Sequence, residues 1–324
     1  MFGAEMIEVG SDRLTADGQS YPIIDDVIVV LDPGRYPDHV KKRLKDSNQD
    51  QAPSGNEFAE DIQKSFGAEW RKFEDILPEH EIEFRQYFDV VDLQTLAESR
   101  VCDLGCGMGR WSYFLKDSVR EMVLVDFSEA IFVARKNLRN ANNAVFIMAD
   151  VTGLPFREDF SDFVFCLGVL HHLPQDALEQ VRGLSRYAPR LLIYLYSALD
   201  SRPRFHRGLL AIVDAIRRAV SGIESPAFRT AFTWAAMFGL YLPMIALGTL
   251  VRPIGLSGKI PLYEFYHGKS LHRIRQDVYD RFFTSIEQRF SRKEILQLSD
   301  TFEKITVSDQ LPLWHFLCEK GDRS

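Results

Sequence analysis

The chain has 324 residues, 46% of them hydrophobic, and a formal net charge of -7. That length and apolar content suffice for one large domain with additions. The acidic balance, without any run of Lys or Arg, excludes a phosphate-backbone footprint, so nucleic acid is not an expected partner. Cysteines at 102, 106, 166 and 318 form no Cys-x-x-Cys pair and have no His partner at zinc spacing, so no metal is expected and they read as reduced core thiols of a cytoplasmic protein. The start, MFGAEMIEVGSD, lacks the basic residues and apolar run of an export signal.

The first apolar run, YPIIDDVIVVL at 21–31, ends at Asp32-Pro33-Gly34 and reads as a strand or hairpin closed by a turn. Residues 35–57 are polar and end in Pro, Ser and Gly, the composition of a linker or exposed loop. From 58 to 98 helical spacing takes over, through Phe66, Trp70, Phe73, Ile76 and Leu77 and then Ile82, Phe84, Tyr87, Phe88, Val91 and Leu93, predicting two helices.

From residue 99, short apolar runs alternate with amphipathic stretches: VCDL, a helix over 108–117, MVLVD, a helix over 128–140, AVFIMAD, DFVFCL, a helix over about 174–187, and RLLIYLY. Such alternation predicts an α/β fold with a mostly parallel sheet and helices on both faces. The alternation stops after Ser197, and 198–285 reads as a mostly helical insertion. Ser291-Arg292-Lys293-Glu294 is a capping box, and KITVSD and PLWHFLCEK then supply a closing antiparallel hairpin. The expected organisation is 1–57, a small β segment and linker; 58–197, the core; 198–285, the insertion; and 286–324, the rest of the core.

The chemistry concentrates at VCDLGCGMGR. Asp103 stands at a strand end before Gly105, Gly107 and Gly109, where glycines permit a tight strand-to-helix turn and close approach of a ligand. A pyrophosphate fingerprint needs a sixth-place glycine, and that place is Arg110, which turns the reading away from a dinucleotide-dependent dehydrogenase. Asp126 ends the next strand, where a ribose-binding carboxylate belongs. Asp150 ends the third and suits an exocyclic amine. Three acidic strand ends thus face one crevice.

VCDLGCGMGRWS, VDFSEA, MADVTGLPF and DFVFCLGVLHHLP together resemble class I S-adenosylmethionine-dependent methyltransferases over roughly 99–197 and 286–319. The resemblance implies a Rossmann-like methyltransferase sheet and S-adenosyl-L-methionine as cofactor. On the family's pattern Gly105, Cys106 and Gly107 pack against the methionine portion and Asp103 organises its ammonium group. Asp126 and Phe127 hold the ribose and flank the adenine, Asp150 and Val151 meet the adenine edge, and Leu167 and Gly168 lie under the cofactor. Residues 1–57 are also similar to a Trm112-like zinc ribbon through GQSYPIIDDVIVVL, but without its metal cysteines, so no metal is implied.

His171 and His172 follow the fourth strand, where a base could deprotonate a methyl acceptor, although a structural or cofactor-side role is the plainer reading. Trp70 and Phe73 read as core rather than as the mouth of a site. Tyr263, Tyr266, His267, Asp280 and Arg281 are candidate acceptor contacts, weighed against solvated loop positions.

Residues 230–251 carry no charge, and Arg229 and Arg252 flank them. Length alone nominates a membrane span, but strands after 300 must rejoin the sheet, and Pro243 divides the stretch into two shorter helices. A buried lid over the acceptor pocket, an oligomer contact and a helix resting in a membrane interface remain open. The expected function is methyl transfer to a small or lipophilic organic acceptor; the alternative is a non-catalytic cofactor-binding or adaptor protein of the same fold.

Overall fold

The computed structural model describes residues 2, 6–44, 59–200, 204–312 and 314–321. It divides into two compact units, one formed by Met1–Ser197 with Gln288–Ser324 and the other by Ala198–Glu287.

The first unit is built on one sheet. Its strands are β1 (Ile7–Val9), β2 (Arg13–Ala16), β3 (Gln19–Ile24), β4 (Val27–Val29), β5 (Arg100–Leu104), β6 (Glu121–Asp126), β7 (Ala144–Met148), β8 (Phe163–Leu167), β9 (Arg190–Tyr194), β10 (Lys304–Val307) and β11 (His315–Glu319). Their order is β1-β2-β3-β4-β7-β6-β5-β8-β9-β11-β10. The stretch from β4 to β9 is parallel, and β11 closes antiparallel on β9. Side chains alternate across the sheet: Cys102, Leu104, Val123, Val125, Val164 and Cys166 enter one core layer, while Val101, Met122, Leu124, Phe163 and Phe165 enter the other. Near-continuous apolar strands are what two covered faces require.

The helices of this unit before the insertion are α1 (Asp38–Leu44), α2 (Glu60–Lys72), α3 (Pro78–Tyr87), α4 (Arg110–Leu115), α5 (Ala130–Asn137) and α6 (Ala177–Leu184). The chain runs outward from β5 through β6 to β7 and then returns to place β8 on the other flank of β5. Strand order therefore reverses between β5 and β8, and the crevice beyond their carboxyl ends is where such sheets bind ligands.

Two expectations are corrected at the N-terminus. The run 21–31 does form a hairpin, turned at Asp25 and Asp26, both with positive φ. It is no separate segment, however: Val27–Val29 pair in parallel with Phe146–Met148 and lengthen the main sheet. Within the expected linker, 38–44 is helical, with Val40 fully buried. One inward aliphatic side chain is too weak a periodic signal to announce a helix. Residues 45–57 of that linker lie outside the described residues.

The second unit contains α7 (Arg204–Val220), α8 (Pro226–Ala236), α9 (Leu242–Val251), α10 (Tyr263–Tyr266) and α11 (Leu271–Phe283). α11 is its spine. Phe232 rests its ring 5.1 Å from Phe282 and 5.6 Å from Phe283, and the Arg217 guanidinium donates to the carbonyls of Thr284 and Ser285 at 3.1 and 2.9 Å, closing the end of α11. Pro243 does not divide the apolar stretch in two. A π-turn over Met237–Tyr241 joins α8 to α9, giving one helix, Pro226–Ile254; a wider turn removes the clash of the proline ring with the preceding carbonyl. Nor is the stretch buried, since only 17% of its most apolar window is covered.

After the second unit the chain re-enters the sheet through α12 (Arg292–Ile295), whose capping box joins Ser291 and Glu294 as expected. The closing hairpin is fixed to the end of α3 by Asp89, which accepts from Ser308 Oγ at 2.7 Å and meets His315 Nε2 at 2.7 Å.

Candidate active site

The turn after β5 is held from the neighbouring strand. The backbone N–H groups of Gly105 and Cys106 both donate to the Val125 carbonyl, at 2.8 and 3.0 Å, and that of Gly107 donates to Asp126 Oδ2 at 2.9 Å. Asp126 Oδ1 accepts from the Ser128 N–H at 2.8 Å and the Ser128 hydroxyl at 2.7 Å. The end of β6 thereby shapes the loop at the end of β5.

Glycine is required at Gly105, Gly107 and Gly109 of this loop, all with positive φ. Gly105 has φ +72° and a Cβ there would come within 2.3 Å of Val169 Cγ2; Gly107 has φ +53° and a Cβ would come within 2.9 Å of the Trp70 ring. L-residues in this region cost roughly 1–2 kcal/mol before any clash. Val169 follows β8, so Gly105 lies where β5 and β8 part company.

Two carboxyls are buried at this turn. Asp103 Oδ2 accepts from the Ser112 hydroxyl on α4 at 2.7 Å. Burial pushes its carboxyl up to about 8; the Ser112 hydrogen bond opposes the rise, Asp126 adds to it and Arg110 opposes it. Asp126 is also raised, chiefly by burial, against the hydrogen bonds from Ser128 and Gly107. Two buried carboxyls that repel one another favour a cationic ligand over a pyrophosphate. The ammonium and sulfonium of S-adenosylmethionine fit this donor set.

Along the crevice, Phe127 is half-buried and its carbonyl accepts from Gln63 Nε2 at 2.7 Å; the same amide reaches the Arg35 carbonyl at 3.2 Å. Glu129 accepts from the His39 N–H at 3.1 Å and pairs with Arg71. α1 and α2 are thus tied to the end of β6. Asp150 caps the turn Val151–Gly153, accepting from the Thr152 N–H at 2.9 Å and its hydroxyl at 2.8 Å, and its second oxygen lies 3.5 Å from Arg35 Nη1. Leu167 is buried at the end of β8, and Gly168 follows with φ +83°.

His171 and His172 are fully buried on the turn after β8. His171 lies 3.9 Å from the Tyr196 ring and 4.2 Å from His172, and His172 lies 5.4 Å from Phe66. Gln288 donates its backbone N–H to the His171 carbonyl at 2.8 Å, and its amide reaches the carbonyls of Leu173 and Gln175. Both imidazoles are therefore packed among rings. Cys106 is buried, and burial raises its thiol well above the usual range.

Sequence reasoning missed Gln63 and Arg35, which reach the crevice across long gaps, Val169, whose side chain presses on Gly105, and Ser112 and Ser128, whose hydroxyls hold the two buried carboxyls. Phe73 is core, as its spacing implies, but Trp70 is half-buried and lies on Gly107 and beside Arg110, whose guanidinium carbon is 4.9 Å from its ring. Four of the five candidate acceptor contacts of the insertion are not loop positions open to solvent, whereas His267 is exposed in the turn after α10. Tyr263 is buried against Gly248 and stacks on His267 at 4.8 Å, Tyr266 packs on Tyr241, Asp280 accepts from the Thr284 hydroxyl, and Arg281 pairs with Glu287 at 2.6 Å.

Residues 101–187 match the family described as Methyltransferase domain. A demethylmenaquinone methyltransferase from Clavibacter sepedonicus is 31% identical over 137 residues, covering 40% of this chain and 56% of the relative. The chain thus spans about half the length of that curated relative. Among solved structures, a SAM-dependent methyltransferase from Aquifex aeolicus is 22% identical, with a TM-score of 0.34 over 39% of this chain and 71% of its own. Phosphoethanolamine N-methyltransferase 1 of Haemonchus contortus, solved with phosphoethanolamine and S-adenosylhomocysteine, is 21% identical, with a TM-score of 0.36 over 42% of this chain and 33% of its own.

Proposed function

We propose, from the match of residues 101–187 to the methyltransferase-domain family, that the chain is a class I S-adenosylmethionine-dependent methyltransferase and transfers a methyl group to a small or lipophilic organic acceptor. The observation that carries this reading is the glycine turn at the β5–β8 switch point, held by Asp126 and backed by the buried Asp103.

S-adenosylmethionine supplies an electrophilic methyl on a sulfonium, so the protein's task is chiefly alignment and exclusion of water. Gly105, Cys106 and Gly107 offer close backbone approach to the methionine portion. Asp103 receives its ammonium, and Asp126 with Phe127 receives the ribose. Asp150 and Val151 border the adenine, while Leu167 and Gly168 form the floor. Asp126 keeps one acceptor place, on Oδ2, for a ribose hydroxyl, because each carboxylate oxygen takes two hydrogen bonds and Oδ1 already has both from Ser128. Asp150, already a cap and paired with Arg35, serves the adenine edge through what capacity remains.

His171 and His172 shape the floor beneath the methyl from within an aromatic cluster, and proton removal by either imidazole is required only for an acceptor that must be deprotonated. The relative named for demethylmenaquinone supports a lipophilic acceptor. The test incubates the full chain with trideuteromethyl-labelled S-adenosylmethionine and a lipid extract, and reads label by mass spectrometry. Label in the organic-soluble fraction, absent with Asp126→Ala, is the expected result; label in protein or nucleic acid alone contradicts the acceptor class.

A further inference from the structure

We propose that the unit Ala198–Glu287 docks the protein onto an anionic lipid bilayer, lying in the interface without crossing it. Its charge opposes that of the rest of the chain. Between 198 and 287 there are 12 Lys and Arg against 7 Asp and Glu, a net of +5, while the whole chain is -7, leaving -12 elsewhere. A basic, apolar element within an acidic protein is suited to an anionic surface and to little else nearby.

The apolar face is bare and continuous. Of the 16 large hydrophobic side chains exposed among the described residues, 11 lie in this unit, so exposure is concentrated rather than scattered. Along Pro226–Ile254 the inner face carries Thr233, Met237, Tyr241 and Gly248, all buried. The outer face carries Phe228, Trp234, Phe238, Leu247, Leu250 and Ile254, with Phe238 58%, Leu250 76% and Ile254 70% exposed. Trp234 and Phe238 stack with centroids 5.8 Å apart, an aromatic pair of the kind that settles at headgroup depth. Exposed Arg252 and Lys259 flank the far end of the stripe, and exposed Arg207 and Arg218 stand on α7. A protein partner would be met by hydrogen-bonding groups roughly every 100–200 Å², whereas 22 successive residues here carry no charge, and their polar side chains are three threonines, Trp234 and Tyr241, of which Thr233 and Tyr241 are buried.

The sheet excludes a crossing. Ser197 and Phe290 form a β-bridge at the two ends of the insertion, so the chain leaves and returns at one place, and among the described residues Pro226–Ile254 has no second helix of membrane length to bring the chain back. The inner face of this helix is packed within its own unit, so the bare outer face, with cationic residues at its end, is what is left to rest in the interface plane.

The test is co-sedimentation of the full chain with vesicles of phosphatidylcholine containing about one-third phosphatidylglycerol, against phosphatidylcholine alone. Binding to the anionic vesicles, weaker by on the order of tenfold on neutral vesicles or in high salt, is expected. The triple change Phe238→Glu, Leu250→Glu, Ile254→Glu removes binding while S-adenosylhomocysteine affinity and circular dichroism stay as in the parent. Should the triple variant misfold, a blue shift of parent fluorescence on vesicles, lost in Trp234→Phe, reads the same contact. A parent that stays in the supernatant, or a concentration-dependent dimer that occupies the stripe and excludes vesicles, overturns the proposal. Partition, not turnover, is measured, so failure here leaves the methyltransferase reading intact.

Discussion

The backbone N–H of Gly107 donates to Asp126 Oδ2 at 2.9 Å, so the carboxylate that is to receive the ribose also fixes the loop that is to receive the methionine portion. Loss of Asp126 therefore strikes both. Asp126→Ala strands the buried N–H groups of Gly107 and Ser128, and unfolding should become easier by about 2–4 kcal/mol. Asp126→Asn is expected to do little better, because its carbonyl can accept on only one of the two sides and its NH₂ then faces an N–H donor on the other. Denaturant unfolding measures this; an unchanged midpoint for either variant would refute the coupling.

Gly107 and Trp70 form a second coupled pair. Gly107→Ala must displace the indole, 2.9 Å from the added carbon, and cofactor affinity is expected to fall more than tenfold. Trp70→Ala in the same chain should recover part of the loss but not the strain of a positive φ, worth roughly 1–2 kcal/mol. Titration of the single and double variants with S-adenosylhomocysteine measures the coupling, and strict additivity argues that the ring does not press on the turn.

Asp103 predicts a pH dependence with a definite sign. Its folded carboxyl titrates at about 8 against an ordinary 3.8, so between those values the folded chain keeps a proton that the unfolded chain has lost. Stability of the ligand-free protein from this group must then fall as pH rises across that window, by up to about 1.4 kcal/mol per pH unit. A ligand ammonium beside Asp103 favours the carboxylate and expels the proton, so affinity should climb with pH and level off above about 8. Asp103→Asn should flatten both trends. Calorimetry in buffers of different ionisation enthalpy counts the proton; a wild-type profile identical to that of Asp103→Asn removes Asp103 from the site.

All four cysteines are buried, and burial raises the thiols of Cys102, Cys106, Cys166 and Cys318 above their ordinary range. None should react with a thiol reagent in the folded protein, and all four should react in denaturant. Rapid native labelling of Cys106, at the glycine turn, would show that the loop opens.

What was legible in the sequence was what local chemistry dictates. Gly105 and Gly107 have to be glycine because of their own backbone angles, and β5 to β9 announce themselves as apolar runs because both faces are covered. The partners of those residues were not legible. Asp150 meets Arg35 across 115 positions, and Trp70 meets Gly107 from a helix whose spacing marks it only as apolar. β4 joins the sheet through parallel pairing with β7, a non-local choice that three short residues cannot signal. Pro243 misled for the opposite reason: its local rule is sound, but a π-turn satisfies it without ending the helix.

Isothermal titration of the full chain with S-adenosylhomocysteine decides whether the glycine turn and Asp126 form a cofactor site. One site of micromolar affinity is expected, lost in Asp126→Ala while the variant remains folded by circular dichroism. No heat with the parent at high micromolar ligand, or equal binding by the variant, would contradict it.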